Sequence, residues 1–289
     1  MPGMREMVTA SEVSTGFLRW AGSKKQILPQ LSGYWRSDYK RYIEPFAGSA
    51  CLFFRISPQS ALLSDVNEHL VNALRCVKND PERVSQLLGG FCKSEAHYYE
   101  VRRKVFKLTE NFQRAAAFVY LNRFCFNGLY RTNQAGEFNV PYGGDKAGFL
   151  PSLETLMSCA RALGNADIVC CDFEETLAKA EAGDFVYIDP PFSVRSRRVF
   201  KEYDASLFGL KAIMRLKKCL HDLEEKGVSF VLSYAASPEA DFLSSGLSVT
   251  HVDVRRTIAS FARNRATARE VIATYCAPEK NAPTGGYKI

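Results

Sequence analysis

The sequence contains no apolar run approaching the ~20 residues needed to span a bilayer. That excludes a helical membrane protein. It has no C-x-x-C pair, and its nine cysteines (51, 76, 92, 125, 159, 170, 171, 219 and 276) lack the spacing of a structural zinc site. Reduced thiols and a cytoplasmic location are the expectation, with Cys125 a small core residue. The glycine-rich phosphate loop of nucleotide triphosphatases is missing, which argues against triphosphate hydrolysis. There are no internal repeats and no low-complexity tracts. The opening "MPGMREMVTASEVSTG" (1–16) has no apolar signal core. It is expected to be a flexible tail, as is the closing "APEKNAPTGGYKI" (277–289).

What is present is a chain of 289 residues, 46% hydrophobic, enough for one large domain or two modest ones with a true core. The net charge of +7 points weakly to an anionic partner. Its distribution says more. Basic clusters fall at Arg102, Arg103, Lys104 and Lys107, at Arg195, Arg197, Arg198 and Lys201, and at Arg255, Arg256, Arg263, Arg265 and Arg269. One such cluster is ordinarily a solvated face; three beside candidate functional segments favour nucleic acid.

"RYIEPF" (41–46) reads as a strand entering the small-residue turn "AGSA" and then a helix over "CLFFRI". "ALLSD" (61–65) is a second strand ending on an acid, and Val66, Leu70, Leu74 and Val77 recur at helical spacing. Strand, tight turn, helix, strand is the opening of a nucleotide-type α/β fold. Residues 80–125 read as helices, the first started by Asp80 before Pro81. The stretch 129–143 carries a turn signal between extended arms and reads as a hairpin. Strands then return at 166–172, 184–189, 228–234, 247–254 and 269–275, with a helix at 206–226.

Two strand ends carry chemistry. Gly48 lets backbone approach a ligand closely, and Asp65 follows at the distance where a Rossmann-like site grips ribose hydroxyls. Taken singly, an ordinary turn and a helix cap are the better readings. "DFVYIDPPF" brings Asp189 to the end of a buried strand, and Pro190 and Pro191 stop it because proline cannot donate to a ladder. Ligands of open α/β sheets bind at such carboxyl ends.

In order along the chain stand "FLRWAGSKKQIL" (17–28), "EPFAGSA" (44–50), "LSDVN" (63–67), "LNRFCFNGLYRTNQAGEFNVPYG" (121–143) and "YIDPPF" (187–192). Together they resemble the Dam-type DNA adenine-N6 methyltransferases, of the class whose recognition region lies between the glycine turn and the Asp-Pro-Pro motif. The resemblance covers roughly residues 17 to 275. It implies an α/β fold: a Rossmann-like S-adenosylmethionine-dependent methyltransferase mixed sheet with an inserted, mostly helical DNA-recognition domain containing a β-hairpin. The catalytic domain would comprise 17–67 and 148–276, and the recognition domain 68–147.

The resemblance also assigns roles. Trp20, Lys24, Asp65 and Asp189 match positions that hold S-adenosylmethionine; without it, Trp20 and Lys24 are merely four apart on one surface-helix face. Phe46, Gly48, Asp172 and Phe173 join that cofactor set. Asp189, Pro190, Pro191 and Phe192 match the catalytic motif, with Phe192 where the family usually has tyrosine. Phe126, Asn127, Leu129, Arg131, Asn133, Asn139 and Pro141 match or flank positions that contact double-stranded DNA, with Arg131 reading guanine, GATC the implied target, and Arg195, Arg197 and Arg198 on phosphates. No metal is implied. Two departures, Ser23 and Ala50 for common glycines, bear on cofactor affinity. Methylation of RNA adenine or cytosine N4, a silent DNA-binding regulator, a monomer or weak dimer, and a cognate restriction endonuclease all stay open.

Overall fold

The computed structural model describes residues 16–20, 22, 24–191, 208–255 and 267–277. The elements follow in chain order. Helix α1 is Leu28–Ser32, strand β1 Tyr42–Glu44, α2 Cys51–Ile56, β2 Ala61–Asp65 and α3 Glu68–Asn79. Then come α4 (Pro81–Gly89), α5 (Glu95–Lys104), α6 (Asn111–Phe124) and α7 (Leu153–Leu163). The last run is β3 (Ala166–Cys170), α8 (Phe173–Ala178), β4 (Phe185–Ile188), α9 (Leu210–Glu225), β5 (Ser229–Ala235), α10 (Pro238–Ser244), β6 (Ser248–Arg255) and β7 (Thr267–Tyr275).

The seven strands form one sheet in the order β3-β2-β1-β4-β5-β7-β6. Pairing is parallel from β3 to β5, and β7 runs antiparallel to both its neighbours. All four residues of β4 are buried, as expected of a parallel strand covered on both faces. Alternation along it separates two cores. Phe185 and Tyr187 face α2, α3, α6 and α7, whereas Val186 and Ile188 face α8, α9 and α10.

The first core runs without a break from Tyr42 and Leu63 on the sheet to Tyr98, Tyr120 and Phe138 in the middle of the chain. Helix α6 is buried along Ala115–Asn122 on every face, as the centre of a helical cluster must be. Helix α3 lies over β2 and β3. Arg75 donates to the Ile168 carbonyl at 2.9 and 2.7 Å, and Lys78 to that of Ala166 at 2.8 Å.

Several local expectations are corrected. Val66 does not open α3; it is 70% exposed, because Asn67 caps the helix through its side-chain oxygen, which accepts from the amides of His69 and Leu70. Trp20 and Lys24 sit in the irregular lead-in to α1, not on a helix face. The 129–143 arms form no strand; they meet in antiparallel sense at an isolated bridge of Thr132 with Phe138, and Tyr142 bridges back to Cys125 before the stretch. Pro141, which has no amide proton, interrupts any longer ladder. Asp80 caps α4 as expected, accepting from the Arg83 amide at 2.9 Å.

Candidate active site

The carboxyl ends of the parallel strands open into a cleft of about 810 Å³. It lies where the strand order turns back, with β1 between β2 and β4. One acid arrives from each of four neighbouring strands: Glu44 ends β1, Asp65 ends β2, Asp172 follows β3 and Asp189 follows β4.

Asp65 braces the glycine turn. Its two carboxylate oxygens accept from the amides of Gly48 at 3.0 Å and Asn67 at 2.9 Å. Burial pushes its carboxyl above the ordinary range, against those amides. Gly48 has φ +47°, and a Cβ there would stand 2.9 Å from Cδ1 of Trp20. The turn is therefore glycine for two reasons, conformation and the indole pressed on it. Ala50 also takes a left-handed conformation, φ 50°, at the start of α2. That strain is one that glycine would not carry, which accounts for the resemblance's glycine there. Ser23 lies outside the described residues.

Trp20 stacks at its other edge on Tyr130, with ring centroids 6.0 Å apart and planes 18° from parallel. The irregular lead-in is pinned by Asn122, which accepts from the Arg19 amide at 2.8 Å and donates to its carbonyl at 2.6 Å. On the opposite side, Phe46 stacks on Phe173 at 5.3 Å and meets Phe208 edge-on at 5.6 Å, forming an apolar wall. Asp172 caps α8 through the Glu174 amide at 2.9 Å and pairs with Arg215, which also grips Glu174.

Asp189 is the most heavily engaged acid. Its Oδ1 accepts from Lys24 Nζ at 3.1 Å and from Ser233 Oγ at 3.1 Å. Lys24 is 5% exposed and reaches Glu270 Oε2 at 3.3 Å as well. Burial alone would lower the lysine's proton affinity; Asp189 and then Glu270 outweigh it, so the ammonium is held above its ordinary value. Burial moves the Asp189 carboxyl upward, opposed first by Lys24 and then by Ser233. Burial also pushes Glu44 well above the carboxylate range, although the Tyr42 hydroxyl bonds it at 2.9 Å.

The structure thus gathers Trp20, Lys24, Phe46, Gly48, Asp65, Asp172, Phe173, Asp189, Pro190 and Pro191 around one cleft. Phe192, Arg195, Arg197, Arg198 and Lys201 lie outside the described residues, as do Arg256, Arg263 and Arg265. Arg131 lies on the rim of the same cleft, exposed. Its Nε donates to Asn139 Oδ1 at 2.7 Å. Phe126, 41% exposed, donates its amide to the Pro141 carbonyl at 2.9 Å, and Asn127 beside it has φ 55°. Leu129 is half-buried. Asn133 holds its own turn, accepting from the amides of Ala135 and Glu137 at 3.0 and 2.9 Å. In the first basic cluster, Arg102 is a loop brace, donating to the Val140 carbonyl at 3.0 Å. Arg269 pairs with Asp253 at 3.4 Å.

Residues not foreseen are Ser233, Glu270, Arg215 and Tyr130. Tyr130 stood inside a motif already singled out. Ser233 and Glu270 carry a weaker signal, each a polar residue flanked by apolar ones on the N-terminal or C-terminal side within its strand.

Comparison with known proteins bears on what this cleft does. Residues 20–258 match the family described as D12 class N6 adenine-specific DNA methyltransferase. A type II methyltransferase of Lactococcus lactis subsp. cremoris, M1.LlaDCHI, is 34% identical over 89% of this chain and 94% of its own length. Another from Methanocaldococcus jannaschii, M.MjaIII, is 33% identical over 84% of this chain and 92% of its own. A DNA adenine methylase of Haemophilus influenzae is 31% identical over 90% of this chain and 93% of its own. With the match spanning most of the chain and its relatives aligned over nearly their whole length, this protein belongs to the D12 class of N6 adenine-specific DNA methyltransferases.

Proposed function

We propose that the chain transfers a methyl group from S-adenosylmethionine to adenine N6 in double-stranded DNA, within GATC, acting on a base turned out of the duplex. The observation that carries this reading is Asp189, followed by the rigid Pro190–Pro191 pair, at the end of β4 in the acid-lined cleft.

The cleft suits the donor. Its volume lies in the range of ligand sites, about 300–1,000 Å³. Its floor is acidic, which favours a ligand bearing a positive sulfur. The Gly48 backbone is bare where any side chain would strike Trp20. Trp20, Phe46, Gly48, Asp65, Asp172 and Phe173 would hold the molecule, with Lys24 acting from beneath through Asp189. Bound S-adenosylmethionine supplies a methyl group already activated by its sulfur, which keeps the electron pair of the carbon–sulfur bond as the N6–carbon bond forms.

The chain's own work is then orientation. Adenine N6 is a poor nucleophile because its lone pair is delocalised into the ring. The Asp189 carboxylate and the Pro190 carbonyl accept hydrogen bonds from the amino group, turn it toward tetrahedral geometry and localise that pair. N6 releases one proton after transfer, to Asp189 or to water. Phe192 would stack on the extruded base, whose unstacking costs a few kcal/mol. Arg131 would donate to guanine O6 and N7, with Phe126, Asn127, Leu129, Asn133, Asn139 and Pro141 beside it on DNA. Arg195, Arg197 and Arg198 would hold phosphates. Residues 68–147 would form the recognition part and 17–67 with 148–276 the catalytic part; α3 would tie the two, since it packs on β2 and β3.

The test is incubation of a GATC duplex and a GTAC duplex with labelled S-adenosylmethionine, followed by mapping of the product. N6-methyladenine confined to GATC is expected. Label on cytosine, or on RNA in preference to duplex DNA, overturns the reading. Asp189→Ala should bind DNA and lose transfer.

A further inference from the structure

We propose that Ser233 is a positioning residue for methyl transfer: it locks Asp189 so that one carboxylate oxygen faces the sheet and the other is left for the substrate amino group. This deepens the function proposed above and rests on it.

Register places the two residues together. Tyr187 pairs with Val231 and Ile188 with Leu232, so the next step sets Asp189 beside Ser233 on one face. Ser233 is fully buried in strand β5, between Leu232 and Tyr234. A hydroxyl there is costly unless it is bonded. Its bonds explain it. Ser233 Oγ donates to Asp189 Oδ1 at 3.1 Å and lies 3.0 Å from the Tyr187 hydroxyl. A serine hydroxyl has one proton, and Asp189 takes it, so Tyr187 must be the donor to Ser233. The result is a directed relay, Tyr187 to Ser233 to Asp189, in which each buried donor is satisfied.

Lys24 Nζ approaches the same oxygen, Oδ1, at 3.1 Å. The bonds from Lys24 and Ser233 both fall on Oδ1, and the Tyr187 hydroxyl also favours the ionised carboxylate. Two donors from different elements, the lead-in and β5, therefore fix the rotation of the carboxylate and saturate one oxygen. The other is available to an amino group in the cleft. The charged and titratable groups that bear on Asp189 are Lys24 from the lead-in, Tyr187 on β4, Glu44 at the end of β1, and Glu270 on β7 through Lys24. Of these, Ser233 touches only Tyr187 and Asp189, so its removal leaves the ion pair in place.

The experiment compares wild type, S233A, S233T, Y187F and D189A by single-turnover transfer to a GATC duplex from about pH 5 to about pH 9, with dissociation constants for DNA and for S-adenosylmethionine measured alongside. S233A is expected to slow transfer by roughly tenfold or more, the scale of a hydrogen bond to a charged group. Both dissociation constants should stay within about twofold, as a lost transition-state interaction predicts. Its acid limb should move to higher pH, because Asp189 loses a donor that favours its ionised form. S233T should restore the rate and the limb, and Y187F should shift both in the same direction by less. A wild-type rate and limb in S233A, with D189A inactive, overturns the inference. Turnover by D189A instead overturns the underlying reading of Asp189. Should S233A fail to fold, Y187F reads the same relay, and an unmoved limb there counts against the inference.

Discussion

Lys24→Met removes a charge while keeping the length of the side chain, at a position where two acids meet one ammonium. Lys24 is 5% exposed, 3.1 Å from Asp189 and 3.3 Å from Glu270. Breaking a buried ion pair by removing one partner costs about 3–5 kcal/mol. The Asp189 side chain keeps 21% exposure and its bond from Ser233, which places the loss at the low end, about 3 kcal/mol at pH 8. The sign follows from each group. The Lys24 proton is held above its ordinary value, so its contribution is complete below about pH 10.4 and fades only as pH rises through the higher folded value. Asp189 is already raised by burial, and without the ammonium it rises further. The folded variant is then penalised only above the unfolded carboxyl value of about 3.9, increasingly so up to its new folded value. Urea unfolding of both proteins at about pH 8 and about pH 5 reads this directly. The gap should shrink by more than about 1 kcal/mol at the lower pH, since a tenfold difference in proton affinity between the folded and unfolded carboxyl is worth about 1.4 kcal/mol. An equal gap at both values would refute the charge argument and leave only lost packing.

Arg131→Ala should reduce discrimination between GATC and sequences altered at the guanine by roughly 5- to 150-fold, from about 1–3 kcal/mol for a two-bond guanine contact, read as a ratio of kcat/KM values; unchanged discrimination sinks the contact. Gly48→Ala should weaken S-adenosylmethionine binding by calorimetry, because its Cβ would press on Trp20 at 2.9 Å from a φ of +47°; wild-type affinity would mean that this turn does not border the donor. Iodoacetamide at about pH 8 should label exposed Cys92 and Cys276 first. Burial pushes Cys76, Cys125 and Cys219 up to about 11, so mass spectrometry should find them last.

The strands that carry the cleft were legible because both their faces are buried. "FVYI" and "ALL" are apolar runs that lead to Asp189 and Asp65, which announces a parallel strand meeting a site. Short helices were harder. Helix α8 has six residues, too few to show a period, and is defined by its Asp172 cap. Helix α7 did carry a signal, a Ser152 cap and buried Leu156, Cys159 and Leu163, but it followed a segment read for its turn chemistry. In the site, Asp189 and Gly48 stood out by local motif. Ser233 did not, because its bond to Asp189 spans 44 residues and exists only through the register of β4 with β5.

The antiparallel strand explains why Glu270 shares the same edge. Parallel strands deliver their last residues there, as Glu44, Asp65 and Asp189 are delivered. Strand β7 runs the other way, so it delivers a residue near its start: Glu270 lies opposite Ala235, the final residue of β5. Its carboxylate gives Lys24 a second partner and leaves two acids around one ammonium. With Glu44 held well above the carboxylate range by burial, the floor keeps a modest excess of negative charge without a crowd of ionised acids. Such a floor favours a cationic donor and repels a phosphate backbone. Under the proposed function, DNA is then held from the rim, where Arg131 stands exposed, and a neutral base is the part of it suited to the acids below. Under the proposed function, the acidic floor makes extrusion of a base the electrostatically consistent route to Asp189.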